Sequence, residues 1–99
     1  MQKGITEIKA GAFKNCKALK KITIPATVKK IGKEAFYGCK KLKNVTIKTT
    51  KLTKKTVGKN AFKGVHSKDK VKVPKKKLKA YKKILKARGI KGKKQKITK

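Results

Sequence analysis

The sequence predicts an α/β solenoid, with short strands stacked coil upon coil, short helical turns on the opposite side and one helix closing the end. Three observations carry this expectation. Residues 8–24 and 31–47 are one segment written twice at an offset of 23: Ile8, Ala12, Phe13, Cys16, Leu19, Ile22 and Ile24 match Ile31, Ala35, Phe36, Cys39, Leu42, Val45 and Ile47. A third copy follows at an offset of 26, through Val57, Gly58, Ala61, Phe62, Gly64, Val65, Val71 and Val73. After Pro74 the apolar spacing changes to that of an amphipathic helix. Self-similarity at a period of about 20–50 residues is the mark of stacked repeats, and it moves the question of function from a pocket to a surface.

Residues 19–41 make one complete turn. Leu19, Ile22 and Ile24 face inward, the last two alternating as a short strand requires. Pro25 ends the strand because it has no backbone donor. Val28 and Ile31 face inward from the far side, Gly32 permits a tight bend, and Glu34 to Tyr37 read as one helical turn with Ala35 and Phe36 inside. Gly38 closes that turn. Its counterparts are Asn15 and Gly64, and Gly and Asn are the residues that most easily adopt a left-handed conformation. One coil cannot stand alone. About seven apolar side chains, at roughly 1.5–3 kcal/mol each, do not offset the ordering of some twenty residues at about 1–2 kcal/mol apiece. Stacking must close the gap, so Phe13, Phe36 and Phe62 should form one column.

The third copy is looser. Lys48–Val57 is longer than Pro25–Ile31, so Leu52 should keep one inward anchor while the extra residues bulge on the convex side. Lys68 stands where Leu19 and Leu42 stood, as expected of an atypical last coil. Residues 75–99 then form a lysine-rich cap after repeats spanning 1–74. Leu78, Tyr81, Ile84 and Leu85 share one helical face, Gly89 is the stop, and Ile97 lies in a possible edge strand. At the other end the chain begins partway round a coil, with Ile5 aligned to Val28. That reading implies a C-terminal fragment of a longer array with an uncapped N-terminal coil, open to self-association.

Charge dominates the composition. Lys and Arg number 34 against three acidic residues, Glu7, Glu34 and Asp69, for a net charge of +31, and Arg88 is the sole Arg. Such a field attracts polyanions. No apolar run is long enough to span a membrane, and the N-terminus lacks the apolar stretch of a signal peptide. Cys16 and Cys39 share a repeat position and read as two buried thiols, a disulfide between neighbouring coils being the alternative. With His66 distant and alone, no metal site is expected. Scattered carboxylates and the absence of a phosphate-cradling Gly-rich loop give no catalytic residues and no cofactor. Asn44-Val45-Thr46 spells a glycosylation sequon but falls in a strand.

The pattern A-F-x-x-C-x-x-L-x-x-I-x-I-P closing on V-x-x-I-G-x-x-A-F, seen at Ala12-Phe13, Cys16, Leu19, Ile22, Ile24-Pro25, Val28, Ile31-Gly32 and Ala35-Phe36, resembles the bacterial leucine-rich repeats of the BspA type over about residues 5–74. The resemblance implies a right-handed leucine-rich-repeat coil with parallel strands on a concave face. It also implies a non-enzymatic cell-surface or secreted protein that acts by adhesion. Outward strand positions then place Lys21, Thr23, Asn44, Thr46, Lys70 and Lys72 on the concave face as candidate ligand-binding residues. The expected partners are anionic cell-wall or host glycopolymers, or host surface proteins. Nucleic acid is a non-specific alternative, because base readout favours Arg and single-strand binding uses exposed aromatics. A purely structural end piece is a third reading.

Overall fold

A computed structural model describes residues 4–90, 92 and 94–99. Its strands are β1 (Glu7–Ile8), β2 (Lys21–Ile24), β3 (Lys30–Ile31), β4 (Asn44–Ile47), β5 (Lys70–Lys72) and β6 (Lys96–Thr98). A 3-10 turn over Lys75–Lys77 leads into α1 (Leu78–Ala87). All strand pairings are parallel. The larger sheet has the order β2-β4-β5-β6 and the smaller one pairs β1 with β3, extended by a bridge from Ile31 to Val57. Register follows the repeat: Ile22 pairs with Val45 and Ile24 with Ile47, then Val45 with Val71 and Val71 with Ile97. The edge strand expected at Ile97 is therefore a fourth rung of the larger sheet.

The core is the stack of inward positions, from Ile24, Val28, Ile31, Ala35, Phe36 and Leu42 through Val57, Phe62 and Val71. Phe13, Phe36 and Phe62 form the expected column. Their centroids lie 5.2 and 5.1 Å apart with the rings within 19° and 11° of parallel, inside the range of favourable aromatic pairs. Phe13, at the open end, is only partly buried.

Between β3 and Cys39 the structure departs from expectation. Glu34 to Tyr37 is not a helical turn but a run of tight turns. The Ala35, Tyr37 and Cys39 amides close i→i−3 bonds to Gly32, Glu34 and Phe36, while the intervening Glu34, Phe36 and Gly38 amides donate to Lys59, Ala61 and Lys63 of the next coil. The first coil does the same, with Gly11, Phe13 and Asn15 donating to Lys33, Ala35 and Tyr37. A helix would use every amide internally. Here alternate amides are turned outward to hold the neighbouring coil, and this requires two left-handed residues per turn. Asn15, Gly38 and Gly64 form one such row, as the sequence indicated. Gly11, Glu34 and Asn60 form the other. Glu34, at φ 55°, bears a steric cost of about 1–2 kcal/mol. Gly32 serves contact as well as turning: a Cβ there would overlap the Ala10 backbone, and one at Gly58 the Lys33 backbone.

The cap completes the stack. Tyr81, Ile84 and Leu85 are buried and Leu78 packs against them. The Tyr81 hydroxyl donates to Thr49 O at 2.8 Å and accepts from Leu52 N at 3.2 Å, which fixes the long third-coil linker through its buried anchor Leu52. Arg88 takes the place of a further coil. Its carbonyl accepts from Phe62 N, while its guanidinium donates to Val57 O at 2.7 Å and Lys54 O at 2.9 Å. A planar fork is pre-organised to bridge two carbonyls, which a flexible ammonium does at greater entropic cost, so the sole Arg has a structural task.

Candidate functional site

The outward side chains of the larger sheet fall into two straight rows. Lys21, Asn44, Lys70 and Lys96 are opposite one another, as are Thr23, Thr46, Lys72 and Thr98. All six residues expected from sequence lie on this face, exposed except for half-buried Thr46. Neighbouring strands are about 4.8 Å apart, so Lys70 directly opposite Lys96 is a like-charge cross-strand pair, an unfavourable arrangement without a counter-charge.

A second group of basic residues lies where the chain enters these strands. Lys20, Lys41, Lys43, Asn44 and His66 line a hollow of about 330 Å³. Lys43, Lys68, Lys70, Lys94 and Lys96 line another of about 370 Å³. Lys43 lines both, so the two hollows adjoin and together make a basic groove across the coils. Its backbone is tied rung to rung: Lys43 N donates to Lys20 O, His66 N to Leu42 O, Lys70 N to Lys43 O and Lys96 N to Asp69 O. Gln95 adds a clamp, donating from Nε2 to His66 O at 3.0 Å while its Oε1 accepts from Gly92 N at 2.8 Å. His66 Nδ1 accepts from Lys68 N at 2.9 Å. A neutral imidazole so held carries its proton on Nε2 and offers a donor.

Asp69 lies between the lysines of this groove in sequence, yet it is fully buried. Lys68 is exposed instead, so the inward residue before the third strand comes one position later than Leu19 and Leu42 do. Neither carboxylate oxygen has a hydrogen-bond partner among the described residues. Burial pushes the acid up to about 7; the neighbouring Lys70 backbone N–H, itself bonded to Lys43 O, offsets part of the effect by proximity and not by a hydrogen bond to the carboxylate. The other two carboxylates stay at the surface: Glu34 sits 3.1 Å from Lys14, and Glu7 lies 3.5 and 4.0 Å from Lys9 and Lys30. Such exposed pairs contribute little.

Both cysteines are free thiols, so the disulfide alternative falls away, and Cys16 is half-exposed rather than buried. Only Cys39 is fully enclosed, its Sγ 2.9 Å from Phe13 O. Burial raises its pKa, an effect that the Cys16 backbone partly opposes. Among the described residues no group of His, Cys, Asp and Glu is placed to hold a metal ion, and no helix is long and apolar enough to cross a membrane.

Alternation within the strands points to Lys70 but does not single out Lys20, Lys41, Lys43 or Lys68, which precede them. Lys20 and Lys43 did carry a signal, since they match at the repeat offset.

Parallel rungs in register, a phenylalanine column and variable outward side chains define a leucine-rich-repeat protein. The chain belongs to the BspA-type leucine-rich repeat family, whose model of six repeat copies matches residues 1–90. Domains of this family are generally non-enzymatic, typically on the bacterial surface or secreted, and consistent with protein-binding modules. No curated protein and no solved structure matches the chain.

Proposed function

We propose that this chain is a non-enzymatic adhesion module of a bacterial cell surface or secreted protein. In this reading residues 1–74 are coils of a right-handed solenoid and 75–99 its closing cap. The larger sheet is the concave face, and Lys21, Thr23, Asn44, Thr46, Lys70 and Lys72 meet acidic polymers or acidic protein surfaces there. The observation that carries the reading is the concentration of cations on one hydrogen-bonded scaffold, including Lys70 opposite Lys96. An anion laid across that face relieves the repulsion between them. Nucleic acid is the weaker reading, because Arg88 is committed to the cap and the three Phe rings to the core column. Immobilised heparin, with neutral dextran as control, tests the proposal at 0.15 M salt, a condition at which charges more than about 8 Å apart are largely screened. Binding to heparin alone is expected. Equal retention on both, or on neither, contradicts it.

Self-association through the N-terminal coil belongs to the same proposal. Ile5, Phe13, Cys16, Leu19 and Ile22 are partly exposed, whereas their repeat counterparts Val28, Phe36, Cys39, Leu42 and Val45 are buried. Phe13, Leu19 and Ile22 line an open hollow of about 420 Å³ with Lys21 and Thr23. Sedimentation should show concentration-dependent association once salt screens the charge. A monomer at all concentrations contradicts it.

A further inference from the structure

We infer that the entry-side groove, rather than the strand face beside it, is the principal anion site, and that its ligand is a linear phosphate polymer without bases. This deepens the adhesion reading and rests on it.

The lining presents donors: the ammonium groups of Lys20, Lys41, Lys43, Lys68, Lys70, Lys94 and Lys96, together with the His66 Nε2–H set by its Nδ1 bond. Asn44 adds an amide beside the imidazole. No carboxylate lines either hollow, because Asp69 is buried and Glu7 and Glu34 pair with lysines outside the groove. The lining itself is cationic and donor-rich, with no carboxylate exposed in it.

The direction of the groove selects a linear ligand. The lysines step from Lys20 to Lys43, to Lys68 and Lys70, then to Lys94 and Lys96, one rung at a time. At about 4.8 Å per rung the track is about 14 Å long. It suits a chain with a charge on each short repeat, lying across the strands. Backbone bonds between rungs fix the places from which the side chains depart, so binding has the lysine side chains to order but not the backbone that carries them.

The side chains select phosphate and disfavour bases. Lysine binds phosphate as a point charge, and no Arg lines the groove to add planar, bidentate recognition. A single strand carrying bases needs a run of aromatic platforms, yet the groove offers no Phe, Tyr or Trp and a single imidazole, His66.

The test uses the whole chain and inorganic polyphosphate as probe, with heparin and oligothymidylate as competitors, at 0.15 M salt. Replacing Lys43, Lys68, Lys94 and Lys96 with Gln should weaken polyphosphate binding about tenfold or more and flatten its salt dependence. Replacing Lys33, Lys55, Lys59 and Lys63 with Gln removes the same charge outside the groove and should change affinity less than about threefold. Equal losses in the two variants overturn the groove while leaving the adhesion reading intact. Heparin or oligothymidylate binding as tightly as polyphosphate, with the same dependence on the groove, overturns the assignment of ligand. An unmodified chain that binds none of the three overturns the adhesion reading itself. Circular dichroism of both variants confirms that they fold.

Discussion

Phe36→Ala should cost about 3–5 kcal/mol, the range for emptying a buried aromatic site, and Phe13→Ala clearly less. Phe36 is fully enclosed, stacked on Phe13 at 5.2 Å and on Phe62 at 5.1 Å, and its amide is bonded to Ala61 O of the next coil. Nothing can collapse into the vacated space without unstacking three rungs. Phe13 has a neighbour on one side only and already meets solvent. A domain of this size has only about 5–15 kcal/mol in total, and +31 of net charge reduces that through self-repulsion. The Phe36 variant should therefore lose most of its cooperative transition, or melt at least about 12 °C lower, by the usual scale of about 4–8 °C per kcal/mol. Urea is the denaturant to use, since guanidinium would also screen the lysines. Equal costs at positions 13 and 36 would mean that the rings do not share one column.

The second large effect is expected at Asp69. Its folded-state pKa is raised by burial to about 7, against about 3.9 in an unfolded chain. The folded protein therefore holds this proton more tightly than the unfolded one. The contribution of this group to stability should be fully present below about pH 4, fall as pH rises to about 7, and be level above it in pH-dependent urea titrations. A three-unit shift corresponds to a loss on the order of 4 kcal/mol. Asp69→Asn should flatten the curve and be more stable than the parent at pH 8. Asp69→Leu, which restores the residue type of Leu19 and Leu42, should gain more because it leaves no buried polar atom without a partner. His66→Gln, made in parallel, separates any contribution of the adjacent imidazole. Parallel pH curves for the parent and Asp69→Asn would contradict this account.

Much of the fold could be read from residues that repeat. The column of Phe13, Phe36 and Phe62, the inward aliphatics and the left-handed row of Asn15, Gly38 and Gly64 were legible because a stacked coil imposes one demand at one position. The cap was legible in the spacing of Leu78, Tyr81, Ile84 and Leu85. What stayed hidden lacked that uniformity. Gly11, Glu34 and Asn60 share a left-handed backbone, but Glu34 disguises the row as the start of a helical turn. The outward rotation of alternate amides leaves no trace in side-chain pattern at all. Asp69 was concealed by a one-residue shift that made Lys68 seem to fill the leucine position. The entry-side groove was hidden by abundance: with 34 basic residues, a loop lysine looks the same whether solvated or gathered. Only the parallel register, which brings Lys43, Lys70 and Lys96 onto adjacent rungs, singles them out.

The most direct test of the account is a map of backbone amide shifts during titration with inorganic polyphosphate. Changes concentrated at residues 41–44, 66–70 and 94–96, with the outer face of α1 and the turns at 32–38 nearly silent, are the predicted result. Shifts spread evenly over every lysine-bearing surface would contradict it, reducing the charge to an undirected cloud.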